Sequence, residues 1–178
     1  MKRPRDIFVE TLIKLAEKDK DIILLNDDTG FSLFEEFSKK FPKQYYNCGI
    51  TEQLITGIAA GLALSGKKPW IYGIIPFVTM RNYEFIRNDI CYQRNGLNVK
   101  IVGVGGRQYY KFLGFTHNIE NDEDIRIMKL LPAMRVYTSE LDDINHIAKN
   151  VIIYTSLKEI EEIIKFEYKR SGPAYIRL

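Results

Sequence analysis

The chain has 178 residues, 46% hydrophobic, 28% charged and 12% aromatic, with a mean hydropathy of −0.20. That composition fits one globular domain over 1–178 and excludes a collagen, a coiled coil, a disulfide scaffold and a disordered tail. Lys plus Arg number 26 against 23 Asp plus Glu, a net charge of +3 from scattered basic residues, which makes no electrostatic case for nucleic acid or membrane.

Apolar residues Ile7, Phe8, Leu12, Leu15 and Ala16 recur near helical spacing and predict a helix over 5–18. Ile22 to Leu25 reads as a buried strand ended by the turn Asn26-Asp-Asp-Thr-Gly30. A helix over Leu33 to Phe41 stops before Pro42, and a strand at Tyr45 to Cys48 leads to a long helix opening at Thr51. Strands follow at Trp70 to Ile74 and Val99 to Val104, with helical spacing over Phe77 to Arg94 between them. Gly105 to Asn118 is a glycine-bearing loop without an assignable element. The remaining expectations are a helix at Glu123 to Leu131, a strand at Met134 to Tyr137 and a short helix at Leu141 to Lys149. An apolar run at Val151 to Tyr154, a helix at Leu157 to Lys169 and a strand at Ala174 to Leu178 complete the chain. Continuous β-branched runs alternating with helices predict a mostly parallel sheet inside a three-layer α/β/α sandwich. Ligands in such sheets bind beyond the carboxyl ends of the strands.

Two cysteines, Cys48 and Cys91, and two histidines, His117 and His146, lie apart without metal-ligand spacing, so no metal site is expected on this chain. The start, Met1-Lys-Arg-Pro-Arg-Asp6, has no apolar signal core, and the longest mostly apolar run, Leu54 to Leu64, is too short to span a bilayer. A reduced protein of the cytoplasm is expected.

The segment Cys48-Gly-Ile-Thr-Glu-Gln53 places a carboxylate, Glu52, at a strand-to-helix junction. The helix after it has almost no polar residues and is expected to be buried nearly all round. Gly57 and Gly61 lie four apart on one face, which suits a tight helix crossing. A plainer reading makes this a central helix capped by Thr51, with Glu52 favoured by the helix dipole.

Gly49-Ile-x-Glu-Gln53, the glycine-bearing helix, Pro76-Phe77 with Ile86-Arg-Asn-Asp89, Asn98-Val-Lys-Ile-Val-Gly103, Thr116-His117, Glu123-Asp-Ile125, Leu131-Pro132 and Gly172-Pro-Ala-Tyr-Ile-Arg-Leu178 occur in one order. In that order they resemble the pyrimidine-binding domain of the transketolase family. The resemblance implies the thiamine diphosphate-binding fold and a role for Glu52 against the pyrimidine ring of thiamine diphosphate. There a carboxyl exchanges a proton with the ring nitrogen, and the imino tautomer so formed sets a basic nitrogen beside the thiazolium C2 hydrogen. It also implies that Ile74, Phe77 and Met80 surround the pyrimidine, with Phe77 alone aromatic. Asp28 falls at the acidic position near the cofactor, Ser32 and Arg5 at positions that meet substrate phosphate, and His117 where a histidine contacts the reacting carbonyl or hydroxyl.

Some positions depart from the family pattern. Leu113 stands where the family has an aspartate that reads a sugar hydroxyl, and Gly105 where it has a substrate-holding histidine. Phe112 and Phe115 make the loop more apolar. A hydroxyl left unpaired in a closed site costs roughly 1 to 3 kcal/mol, so a deoxygenated, branched or shorter substrate fits better than a standard pentose phosphate.

No Gly-Asp-Gly, the family's mark of the diphosphate and Mg2+ site, occurs in the sequence. The resemblance therefore implies a subunit of a split transketolase-like enzyme. A separate subunit would hold the diphosphate and Mg2+ in an assembly of two of each, acting on a small sugar substrate. The expected reaction is transfer of a two-carbon ketol unit between sugar or sugar-phosphate substrates. The alternatives are a 2-oxo acid or deoxysugar-forming thiamine diphosphate enzyme and a non-catalytic scaffold of the same fold.

Overall fold

The computed structural model describes residues 2–106, 109–142 and 148–178. Among them seven strands form one sheet: β1 (Ile22–Asn26), β2 (Tyr45–Asn47), β3 (Lys68–Ile74), β4 (Lys100–Val104), β5 (Arg135–Thr138), β6 (Val151–Ile153) and β7 (Ala174–Arg177). Their order is β2-β1-β3-β4-β7-β5-β6, and every pairing is parallel. Every residue of β1 is buried because the two faces of the sheet carry separate cores. Ile22 and Leu24 point to one face, where they meet Phe8, Leu12, Phe37, Ile160 and Ile164. Ile23 and Leu25 point to the other, toward Ile55, Ala59, Ile86, Ile90 and Met128. The strand period of two thus divides a continuous apolar run between two helical layers. The α/β/α sandwich is as expected.

The first layer holds α1 (Pro4–Ala16), α2 (Glu35–Lys40) and α7 (Leu157–Lys169). Pro4 starts α1, where its missing N–H costs nothing, and the Asp6 carboxylate accepts from the Arg3 N–H at 2.9 Å. At α7, Ser156 Oγ accepts from the Glu159 N–H at 3.3 Å. The second layer holds α3 (Glu52–Leu64), α5 (Tyr83–Phe85), which widens into a π turn over Ile86–Cys91, and α6 (Glu123–Met128). A short α4 (Ile75–Val78) follows β3, and a 3-10 segment spans Lys111–His117.

The helical spacing of Phe77 to Arg94 resolves into three short pieces instead of one helix. Asn82 interrupts it: buried, it donates from Nδ2 to the Glu52 carbonyl at 3.1 Å and to Thr56 Oγ1 at 2.7 Å, and its own backbone leaves the helical region. The burial expected around α3 is also corrected. Leu54 is 61% exposed, Ile58 and Leu64 are exposed as well, and a Cβ at Gly57 or Gly61 would meet nothing within 4 Å. The glycines therefore face away from the other described residues. Thr51 does not cap α3 through its side chain, which donates instead to the Cys48 carbonyl at 2.8 Å. The loop after Gly105 contains the 3-10 segment, with Gly114 at φ 64 inside it. The helix expected at Leu141 to Lys149, with His146, falls largely on residues 143–147, outside the described residues. No helix among the described residues is long and apolar enough to cross a membrane.

Candidate active site

The chain runs from β1 outward to β2 and returns to β3 on the other side of β1, so a crevice opens beyond the carboxyl ends of β1 and β3. Asn26 and Asp27 leave β1 there, Ile74 leaves β3, and the Gly49 turn after β2 delivers Glu52 to the first position of α3. Gly49 has φ 68, a left-handed conformation that a glycine adopts without strain.

Glu52 is 5% exposed, and its Oε1 lies 2.6 Å from Nη1 of Arg81. The Arg81 guanidinium covers the Phe77 ring at 4.1 Å from the centroid. The His117 ring meets Phe77 edge-on, with centroids 4.8 Å apart. A carboxylate, a planar cation, an aromatic ring and an imidazole therefore follow one another across the crevice. Thr116 Oγ1 donates to the Leu113 carbonyl at 3.1 Å and lies 2.8 Å from His117 Nδ1. With its hydrogen on Leu113, that hydroxyl accepts from Nδ1–H, which leaves Nε2 as the imidazole's acceptor.

Glu52, Phe77 and His117, all expected at the site, lie in one row, with Arg81 between Glu52 and Phe77. Ile74 is buried at the end of β3, and Met80 is half-buried after α4. Asp28 takes a different place from the one expected. It is exposed, has φ 62, and accepts at Oδ1 from Asn47 Nδ2 at 2.9 Å. Its neighbour Asp27 is the acid turned inward, 3% exposed. Asp27 Oδ1 accepts from Thr29 Oγ1 at 2.6 Å, while Oδ2 is buried without a hydrogen-bond partner among the described residues. Burial, then the negative charge of Glu52, raises the Asp27 pKa to about 6. Gly73 makes the room, since a Cβ there would stand 2.3 Å from Asp27 Oδ2. The left-handed turn at Asp28 reverses which of two adjacent aspartates faces the crevice, and adjacency in sequence carries no sign of that.

Arg81 was also missed. Its signal was its place four residues after Phe77, on the same side of a helical turn.

Arg5 lines a second cavity of about 330 Å³ at the same edge of the sheet, with Ile75, Val104, Gly105 and Tyr110. Its Nε is buried and, among the described residues, makes no hydrogen bond of good geometry, though the Tyr72 hydroxyl lies within its influence. Tyr110 joins this cavity to the crevice, because its ring lies 6.0 Å from His117. Ser32 is exposed on the turn after β1 and donates its N–H to Glu35 Oε1 at 2.7 Å; it is not among the residues lining the Arg5 cavity. Among the described residues no group of three or more His, Cys, Asp or Glu side chains is placed to hold a metal ion.

Comparison with known proteins places the chain in a family. The family described as transketolase, pyrimidine binding domain, matches residues 3–178. A subunit of apulose-4-phosphate transketolase from Phocaeicola vulgatus is 34% identical over 175 residues, covering 98% of this chain and 50% of that protein. A putative transketolase C-terminal section from Methanocaldococcus jannaschii is 36% identical over 172 residues, covering 96% of this chain and 48% of that protein. Among solved structures, a split gene transketolase in an inactive beta4 tetramer superposes with a TM-score of 0.77 at 31% identity, over 98% of this chain and 50% of that one. The chain thus spans about half the length of these relatives. By sequence and by fold, it belongs to the transketolase pyrimidine-binding domain family.

Proposed function

We propose that this chain is the pyrimidine-binding part of a thiamine diphosphate-dependent transketolase-type enzyme that transfers a two-carbon ketol unit between sugar or sugar-phosphate substrates. The observation that carries the reading is the buried Glu52 carboxylate at the first turn of α3, joined through the Arg81 guanidinium to the Phe77 ring, which in turn meets the His117 imidazole. The residues present suit the group. Glu52 offers an oriented carboxyl to a ring nitrogen, Phe77 offers a face for a planar heterocycle, and Asp27 Oδ2, without a hydrogen-bond partner among the described residues, leaves a further buried acceptor in the same crevice. When bound, thiamine diphosphate supplies the carbon nucleophile that attacks a substrate carbonyl.

The chain's own residues divide the remaining work. Glu52 holds and returns a proton at the pyrimidine nitrogen. His117, half-buried against Phe77 with Nδ1 on Thr116, offers Nε2 for proton exchange with a substrate oxygen. Arg5, its Nε making no hydrogen bond of good geometry among the described residues, suits the phosphate end of a substrate beside its cavity. Ser32 has no contact that supports the same role. The donor hydrogens of the Thr116 hydroxyl and the Asn118 amide are spent on nearby backbone: Thr116 on Leu113, and Asn118 Nδ2 on the Tyr110 and Gly114 carbonyls at 2.9 and 2.6 Å, which leaves Asn118 Oδ1 as the amide's open acceptor among the described residues. That favours a substrate with few hydroxyls at this wall and keeps a deoxysugar-forming reaction as the second reading.

The diphosphate and Mg2+ fall to a separate subunit in this proposal, joined in an assembly of two of each. Support comes from the open face of α3, where Ile50, Leu54 and Ile58 are exposed beside Gly57 and Gly61, and from Phe112 and Phe115, each 81% exposed. Apolar surface of that extent beside a site marks an interface. The test is capture of the tagged chain from its own cells, with the co-purifying protein and bound cofactor identified by mass spectrometry. A stoichiometric partner bearing Gly-Asp-Gly and carrying thiamine diphosphate is expected; a chain that comes down alone and cofactor-free contradicts the proposal.

A further inference from the structure

Arg81 does more than neutralise Glu52. Its guanidinium is a flat array of N–H donors that lies over the Phe77 ring at 4.1 Å while one nitrogen meets Glu52 Oε1 at 2.6 Å. An aminopyrimidine held by the same two residues has the same requirements: a planar, electron-poor group stacked on Phe77 with a nitrogen at the carboxylate. We propose that Arg81 occupies the pyrimidine seat in the unliganded chain, so that the cofactor binds by displacing its guanidinium. This inference rests on the reading of Glu52 and Phe77 given above.

The local architecture aims the side chain and leaves it free to depart. Gln53 Nε2 donates to the Arg81 carbonyl at 3.3 Å, and Asn82 Nδ2 donates to the Glu52 carbonyl at 3.1 Å, so the Arg81 carbonyl and the side chain of the next residue are both tied to the first turn of α3. Glu52 is the fixed partner, its side chain 6% exposed, whereas the Arg81 side chain is 41% exposed and has solvent to swing into. Asp27 also feels the Arg81 charge, which opposes the rise in its pKa. A cation that leaves the crevice therefore leaves two inward carboxyls facing the incoming ring, so Glu52 must take up a proton from solvent as Arg81 departs, and that proton is the one it shares with the ring nitrogen. The remaining wall is the Phe77 and His117 pair.

A ligand that must evict an internal competitor binds with an affinity reduced by the fraction of chains whose seat is free. A seat filled nine-tenths of the time weakens binding about tenfold. The experiment is isothermal titration of thiamine diphosphate with Mg2+ into the captured two-subunit complex, stripped of cofactor, for the wild type, Arg81→Ala and Arg81→Lys. Arg81→Ala is expected to lower the dissociation constant about tenfold, with Arg81→Lys between it and the wild type, since lysine keeps the charge but not the plane. Far-ultraviolet circular dichroism and the unchanged size of the complex establish that the variants are folded. Binding by the wild type with an unchanged or larger dissociation constant for Arg81→Ala would overturn the displacement while leaving the Glu52 site intact. No binding by the wild-type complex would overturn the reading of the site and this inference with it.

Discussion

Asp27 shows how much a single side chain can be asked to tolerate. Its carboxyl is buried between β1 and Gly73 with one oxygen lacking a hydrogen-bond partner among the described residues, and burial together with Glu52 raises its pKa to about 6. A carboxyl whose folded pKa exceeds its unfolded value binds its proton more tightly in the folded chain. Its contribution to stability is therefore greatest in acid and is lost as pH rises from about 4 through 6. Asp27→Asn removes the buried charge and keeps an acceptor for Thr29. It is expected to stabilise the chain by about 1 to 2 kcal/mol at pH 7.5, a melting temperature higher by about 3 to 6 °C, with the gap roughly halved near pH 5 and closed by about pH 4. Thermal melts across that range check it; a gap independent of pH would remove the charge from the explanation. At this scale Glu52, Phe77 and His117 are the residues that the family resemblance singled out in the sequence, and the structure sets them along one crevice. Asp27 and Arg81 were not legible in the sequence. Which of two adjacent aspartates turns inward depends on the left-handed φ of 62 at Asp28, and the reach of Arg81 depends on a bend set by Asn82.

Between elements, the strongest tie outside the site is a buried charged knot at the amino end of β4. Lys100 Nζ lies 2.9 Å from Glu167 on α7 and donates to the Arg170 and Gly172 carbonyls. Glu167 in turn accepts from Tyr137 on β5 at 2.6 Å and from Arg170 at 2.9 Å. Burial pushes the Lys100 pKa down to about 8, opposed by Glu167, so the ammonium is retained at neutral pH. Removing one member strands the others: Lys100→Met is expected to cost about 3 kcal/mol, seen as a lower urea midpoint at constant slope. A midpoint equal to the wild type would show that the knot can be replaced by apolar packing. A second knot closes the sheet, where Arg177 on β7 meets Asp122 and Asp124, each at 3.0 Å. It accounts physically for the arginine in the closing Tyr-Ile-Arg-Leu. The strands were readable because a run such as Ile22 to Leu25 has one cause, burial on both faces. The short α4, α5 and π turn were not, because a buried Asn82 that serves α3 breaks a pattern whose spacing is otherwise helical.

The whole molecule is a parallel sheet whose order reverses beside β1, with the candidate site at that reversal and an apolar face alongside it. The α/β/α architecture followed from the alternation of apolar runs and amphipathic helices. What α3 does could not be read the same way. Its composition matches a buried core helix, yet Leu54, Gly57, Ile58 and Gly61 face outward, since hydrophobic periodicity records burial in an assembly and burial in a monomer alike. The proposed function stands or falls on whether Glu52 exchanges a proton with the pyrimidine of thiamine diphosphate. The decisive comparison is ketol-donor turnover of the captured complex, wild type against Glu52→Gln. Glutamine keeps the shape and cannot carry the proton. Turnover lower by about 100- to 10,000-fold, with assembly unchanged, is expected; turnover equal to the wild type would contradict the proton exchange.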